Sequence, residues 1–472
     1  MSVAFLPSGQ APGGGAAAGR GAALGTNANT VTPFRASKGS SGAFREARRQ
    51  RFARRSVSSR WLIDATIDEH GREHFAELAP RPATCGWAAG THVGVHRAEG
   101  SPARFSGVQS CASVWGCACC GSLIRSRRAQ EVQQAAEWWE KEHQGQFLFL
   151  TLTVRHFIED SLDRTMDALT DGFTGMINGA PWKRFARRHG IRHFIKSQEI
   201  TLSWDNGWHA HLHVLLFVDP GGAALDLAAD AAEAWRAVEE NPTSTGAPNR
   251  ARVKKAQRLD DDAAEAARIA VQGIGTGRKR EIRRWISDRW AEMVVRAGGR
   301  RPSERRGVDI RTVRDGNVVA LYITKLQEGD REKPGWQVGQ EMARQDLKKG
   351  RKDSLVPLEL LDVDGLDVGE VERNREWWLE YVACTKGRRS MTWSRGLKDA
   401  AGIDDLDDEE LVEAEEADVL EDDRVIVIEK RHWAVVRDDA DVLARILELV
   451  EADRVEEIRR FVPFEYPPPL RS

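Results

Sequence analysis

The chain is predicted to fold as α+β, with a largely antiparallel central sheet flanked by helices, on three observations. Runs rich in β-branched and aromatic residues recur at 147–154, 193–202 and from 208 to about 218. Helical apolar patterns fall between or after them, over 126–143, 162–177 and 281–297. The second and third runs follow each other within a short hairpin, the connection that antiparallel neighbours need.

The elements follow in chain order. Residues 1–42 are rich in Gly, Ala and Ser with almost no large apolar side chains, and residues 1–60 hold ten Arg/Lys against one acid, Glu46. Residues 1–60 are therefore expected to be a disordered basic tail. A cysteine-bearing segment occupies 61–125, and the main α+β domain spans 126–330. Within it, residues 220–279 are rich in Ala, Asp and Gly with mixed charge, and read as a surface insertion of one or two helices. Residues 307–313 form a strand, and Asp315 can cap a helix from about 317 to 327. A charged extension of the core, 331–400, precedes an acidic linker, 401–423, and a small strand-and-helix C-terminal α/β piece, 424–472. No internal repeat is present.

At 472 residues the chain is long enough for two or three domains. Its formal net charge of −2 hides an asymmetry: residues 404–423 hold thirteen Asp/Glu and no Lys or Arg. Without that stretch, basic residues exceed acidic ones by eleven. A basic body with a detachable acidic segment fits a protein that binds a polyanion, and the acidic stretch itself reads as a solvated spacer. The N-terminus lacks a signal peptide's basic head and apolar stretch, and no apolar run approaches membrane-spanning length, so a cytoplasmic location without membrane partners is expected. Thiols stay reduced there, which makes the six cysteines ligands or core residues rather than disulfides.

Residues 208–213 read Trp-His-Ala-His-Leu-His. In a strand His209, His211 and His213 share one face, and three of the chain's 12 histidines within five positions point to a metal site. Glu199, on the preceding strand, lies within a short hairpin of them. A carboxylate joined to two imidazoles, with open positions left, suits Mg²⁺ or Mn²⁺ acting as a Lewis acid on a phosphate. Tyr322 is one of three tyrosines and stands in Leu-Tyr-Ile-Thr-Lys, with Lys325 one helical turn on. An ammonium and a polarised phosphate would ease attack by a phenol whose pKa is about 10. Cys111, Cys117 and Cys120 form a knuckle which, with Cys85 upstream, can close a tetrahedral structural Zn²⁺ site.

In this order the pieces resemble the rolling-circle replication initiators of small plasmids, which belong to the HUH endonucleases. Residues 149–153 (Phe-Leu-Thr-Leu-Thr) look like that family's first motif. Residues 207–216 look like its metal motif, with Ala210 where proline is common, and Tyr322-Ile-Thr-Lys325 looks like its nucleophile motif. The 111–121 knuckle and the 386–397 segment resemble the actinobacterial and haloarchaeal branch, and the likeness covers roughly 85–400.

The resemblance implies an HUH-type catalytic domain in which His211 and His213 ligate the metal. His209 and Glu199 are weaker candidates for the remaining ligand. Tyr322 would be the nucleophile, and Lys325 would position the phosphate. The implied reaction nicks plasmid origin DNA in a single-stranded or extruded loop, leaving a 5′-phosphotyrosine and a free 3′-hydroxyl primer. Host helicase and polymerase are the implied partners. Where one branch of the family carries a water-activating glutamate, four residues before the tyrosine, this chain has Val318. A single-tyrosine relaxase or transposase of the same superfamily keeps the chemistry and changes the biology. A zinc-containing DNA-binding regulator without enzymatic activity is the alternative from another class, and a three-histidine hydrolase of small molecules leaves Tyr322 and the basic tail unexplained.

Overall fold

Side-chain alternation along a few long strands decides which face of the sheet is dry and which carries polar groups. The computed structural model describes residues 41–64, 81–98, 102–143, 145–273, 275–313, 354–417 and 423–467. In chain order the elements are α1 (Ser41–Asp64), β1 (His92–His96), β2 (Arg104–Ser106), α2 (Ala118–His143), β3 (Gln146–Thr153), α3 (Leu162–Ile177), α4 (Gly179–Arg188), β4 (Ile191–Ser203) and β5 (Gly207–Val218). They continue as α5 (Pro220–Glu240), α6 (Arg250–Gln272), α7 (Thr276–Arg296), β6 (Val308–Val313), α8 (Val368–Thr385), β7 (Met391–Trp393), α9 (Leu397–Ala400), α10 (Asp408–Ala417), β8 (Arg424–Glu429), α11 (Lys430–Val436) and α12 (Ala440–Glu451).

The protein is α+β, as the sequence predicts. Its larger sheet has the order β6-β3-β5-β4-β7 and is antiparallel at every pairing. One face presents Leu148, Leu150, Leu152, Leu212, Val214 and Leu216 to Met166, Leu169 and Phe173 of α3 and Ile286 and Trp290 of α7. The Trp290 indole N–H donates to the Thr153 carbonyl at 3.0 Å, which satisfies the one polar atom of a fully buried side chain. On the opposite face, among the described residues, an apolar cluster covers one half. There Phe147, Phe149, Ile195, Leu215 and Phe217 pack against Val132, Ala135, Ala136 and Trp139 of α2. Beyond Phe149 that face turns polar, and the site begins.

The β4–β5 hairpin turns at Gly207, whose φ of +74° lies in the left-handed region; a Cβ there would meet the Cα of Ile158 at 3.0 Å. The 220–279 insertion holds α5 and α6, joined through Ala234, Val238 and Ala256. Residues 391–393 of the 386–397 segment form edge strand β7, with Ile195 opposite Trp393.

Two expectations need correction. Residues 41–60 are not a disordered tail but most of α1, because Val57, Trp61 and Leu62 give it a buried face. Its arginines find distant carboxylates: Arg48 pairs with Glu451 at 2.6 Å, and Arg54 binds Asp362 through two bonds of 2.7 and 2.6 Å. The C-terminal α/β piece forms as expected and shares a sheet with the cysteine-bearing segment. β8 pairs with β1 in a small sheet of order β2-β1-β8, and Ile426, Ile428, Trp433 and Leu447 share a core with Val93 and Val95. The acidic stretch is not only a solvated spacer, since Asp407 caps helix α10, which buries Leu411 and Val412. Among the described residues no helix is long and apolar enough to cross a membrane.

Candidate metal centre

The hairpin register assembles the site. Glu199 lies directly opposite His211, Ser197 opposite His213 and Thr201 opposite His209, so all six side chains share the sheet's polar half-face. From the other side β3 sets Thr151 against His213 and Thr153 against His211.

Three donor atoms converge. Oε2 of Glu199 lies 2.5 Å from Nε2 of His213 and 2.9 Å from Nε2 of His211, and the two ring nitrogens are 3.1 Å apart. Adjacent ligands of an octahedral ion with bonds of about 2.1 Å stand roughly 3 Å apart, so the donor set fits a small divalent cation. Glu199 and His213 are buried, and His211 is nearly so. The His213 ring is held from behind: Nδ1 lies 3.3 Å from the Thr151 hydroxyl, and the ring stacks on Phe149 with centroids 5.2 Å apart. The His211 Nδ1 is buried and has no hydrogen-bond partner among the described residues.

His209 does not join this group. Its Nδ1 faces Nε2 of His156 at 2.7 Å, and His156 reaches the Asn206 carbonyl at 3.2 Å through Nδ1. Burial, with His211 and His156 adjacent, pulls the His209 pKa down to about 4 and keeps the ring neutral. His156 is the residue that sequence reasoning missed. It lies in a loop 53 positions from His209, and no spacing pattern ties the two together.

The second group is made of thiols. Cys85, Cys111, Cys117 and Cys120 are all buried with their sulfurs within 4.8 Å of one another. The sulfur of Cys85 is 3.6 Å from that of Cys120 and 3.5 Å from that of Cys117, against roughly 3.8 Å between the sulfurs of a tetrahedral zinc site. The chain brings them together from the turn at Arg81–Thr84, the loop before α2 and the first turn of α2 itself. Hydrogen bonds from Cys111, Cys117 and Cys85 draw Cys120 well below the ordinary thiol range, while hydrogen bonding with Cys111 pushes Cys85 well above it. Four thiols in one dry space cannot all ionise without a cation, and this donor set suits a soft one. Cys119 is not one of the four; its thiol lies 3.8 Å from the Arg51 carbonyl. Tyr322 and Lys325 fall outside the described residues, as does the expected helix over 317–327.

Among the described residues, the fold and the two donor groups define a protein with an antiparallel α+β core, a candidate N₂O metal centre on its central hairpin and a candidate thiolate centre at the start of α2. A family model described as "Replication protein" matches residues 104–222, which include Glu199, His211, His213 and three of the four clustered cysteines. The chain is 29% identical over 384 residues to "Protein rep" of Streptomyces lividans, covering 72% of this chain and 75% of that one. Shorter likenesses are to "Neomycin resistance protein" of Streptomyces cyanogenus, 31% identical over 24% of this chain and 31% of that protein, and to "Protein rep" of Lactiplantibacillus plantarum, 34% identical over 22% and 32%. No solved structure matches. The chain is similar to replication proteins of the Rep kind.

Proposed function

We propose that this Rep protein initiates replication by nicking one strand of the plasmid origin, as an HUH-type endonuclease with Tyr322 as nucleophile. The observation that carries the reading is the convergence of Glu199 Oε2, His211 Nε2 and His213 Nε2 within 3.1 Å on one sheet face. Glu199, His211 and His213 would hold Mg²⁺ or Mn²⁺, which supplies Lewis-acid polarisation of a phosphodiester oxygen. Thr151 and Phe149 fix the His213 ring, so the two imidazoles keep Nε2 toward the carboxylate.

The Tyr322 oxygen attacks phosphorus, forming a phosphotyrosine with the 5′ end. The bond from phosphorus to the 3′ oxygen breaks, and the proton lost by the phenol balances the one gained by the leaving 3′-hydroxyl. Lys325 positions the phosphate. The new ester conserves the free energy of the broken one, so rejoining needs no nucleotide. β6 pairs with β3 and ends at Val313, opposite Phe147. The freed 3′-hydroxyl serves host polymerase, with host helicase opening the duplex, in the cytoplasm. Zn²⁺ in the thiol cluster plays a structural part.

The test is a supercoiled plasmid with its cognate origin, in Mg²⁺ or Mn²⁺. Wild type should give nicked circles, and Tyr322→Phe and His211→Ala/His213→Ala should not. Equal nicking by Tyr322→Phe refutes the tyrosine assignment, and absence of nicking by wild type refutes the enzyme reading.

A further inference from the structure

The acidic stretch is the sequence motif that the nicking reaction leaves unused, and its docking in the structure is specific. Helix α10 begins with a capping box: the Asp407 carboxylate accepts from Glu410 N at 2.9 Å, and the Glu410 carboxylate accepts from Asp407 N at 2.7 Å. Leu411 and Val412 anchor it, and its acids then meet arginines from three separate elements. Arg81, beside Cys85, grips Glu409 through two bonds of 2.9 and 2.8 Å. Arg104 of β2 and Arg127 of α2 converge on Glu415, at 3.4 Å for Arg104 and 3.0 Å for Arg127 Nε. Arg128 is held more deeply, by Asp408 at 2.8 Å and by Glu131 of its own helix at 3.0 Å.

We infer that Arg81, Arg104 and Arg127 form a surface for the phosphates of duplex DNA, and that α10 covers it with carboxylates until DNA displaces them. The inference rests on the reading of this chain as a DNA-acting Rep protein. A guanidinium fork that takes a carboxylate through two N–H bonds takes a phosphate in the same geometry. The three arginine side chains stay 57%, 37% and 38% exposed with α10 in place, so the ion pairs that hold them are solvated, individually weak and open to exchange. A duplex carries one charge per roughly 1.7 Å and gains by releasing counterions when it binds, an advantage that a short acidic helix lacks. The covering helix thereby weakens attachment to arbitrary DNA.

The test uses the full chain and a duplex of random sequence, with affinity measured from 50 to 200 mM salt. Glu409→Gln/Glu415→Gln keeps the Leu411 and Val412 anchor while removing the two carboxylates that pair with the three arginines, Arg104 keeping only the Glu415 backbone carbonyl at 3.2 Å. Each new phosphate contact steepens the salt slope by about 0.9 decade per decade. The variant should therefore bind more tightly than wild type at 50 mM and lose about 40-fold more of its affinity by 200 mM. In an Arg81→Gln/Arg104→Gln/Arg127→Gln background the same two glutamines should bring no gain. Glu409→Asp/Glu415→Asp, which keeps the charge, should behave as wild type, and melting curves of all variants show whether they fold. Unchanged affinity and slope in the folded double variant overturn the inference, and so does a gain that survives loss of the arginines, which would be long-range charge alone. Origin nicking is read separately, so this inference can fail while the nicking reading stands.

Discussion

Replacing Glu199 with glutamine keeps the volume of a buried side chain and removes one anionic oxygen of the three-donor set. Groups that merely orient a metal ligand typically cost 10- to 100-fold in affinity when lost, so loss of a donor itself should cost about 100-fold or more. At a Mn²⁺ concentration 100 times the wild-type Kd, binding stabilises the wild type by about 2.7 kcal/mol, and a variant 100-fold weaker by about 0.4 kcal/mol. For a domain of this size that is a metal-dependent rise in Tm of roughly 5–10 °C for wild type against about 1 °C for the variant. Without metal the order changes. Oε2 of Glu199 faces two imidazole nitrogens at 2.5 and 2.9 Å, and glutamine can still hydrogen-bond to one of them, so the metal-free Tm should stay within a few degrees of wild type. Thermal melts with and without Mn²⁺, beside calorimetric titration, read both effects. A variant that melts far earlier in the absence of metal yet keeps its metal-dependent rise would refute the reasoning, since Glu199 would then be a structural hydrogen-bond partner and not a ligand.

Two further outcomes follow from buried groups elsewhere. Cys117→Ser should abolish stoichiometric zinc, measured by elemental analysis, and lower Tm by more than about 10 °C, because metal binding to a thiolate site is largely folding free energy; retained zinc would separate Cys117 from the cluster. His189 is buried beside Phe185 with ring centroids 4.5 Å apart, and burial lowers its pKa from 6.5 to about 4. The unfolded chain therefore takes up this proton first. The His189 contribution is fully present above pH 6.5 and is lost as pH falls toward 4, by about 1.4 kcal/mol per pH unit and about 3 kcal/mol in all. His189→Gln should flatten that part of the stability profile in denaturant titrations at pH 4.5 and 7; an unchanged slope would show that other groups set it.

What the sequence makes legible here is local and periodic. A two-residue repeat puts His211 and His213 on one face, and a short hairpin fixes Glu199 opposite His211. The knuckle spacing of Cys117 and Cys120 likewise announces a cluster with Cys111 and Cys85. What is illegible depends on partners far along the chain. His156 meets His209 only after β3 and the β4–β5 turn are in place. Helix α1 owes its order to Glu451 and Asp362, more than 300 positions away, so its arginines read locally as a solvated tail. The acidic stretch looks like a spacer until Arg81 and Arg127 are brought beside it, and β8 shows no preference for β1 until the small sheet closes.

The central claim is that Tyr322 becomes covalently joined to DNA with the help of the Glu199, His211 and His213 centre. The most direct measurement is mass spectrometry of the protein–DNA adduct formed on a labelled origin oligonucleotide in Mn²⁺. A 5′-phosphotyrosine at Tyr322, absent from Tyr322→Phe and reduced at least about 100-fold in His211→Ala/His213→Ala, is the result expected. An adduct mapped to another residue, or one formed equally well by the double-histidine variant, would contradict it.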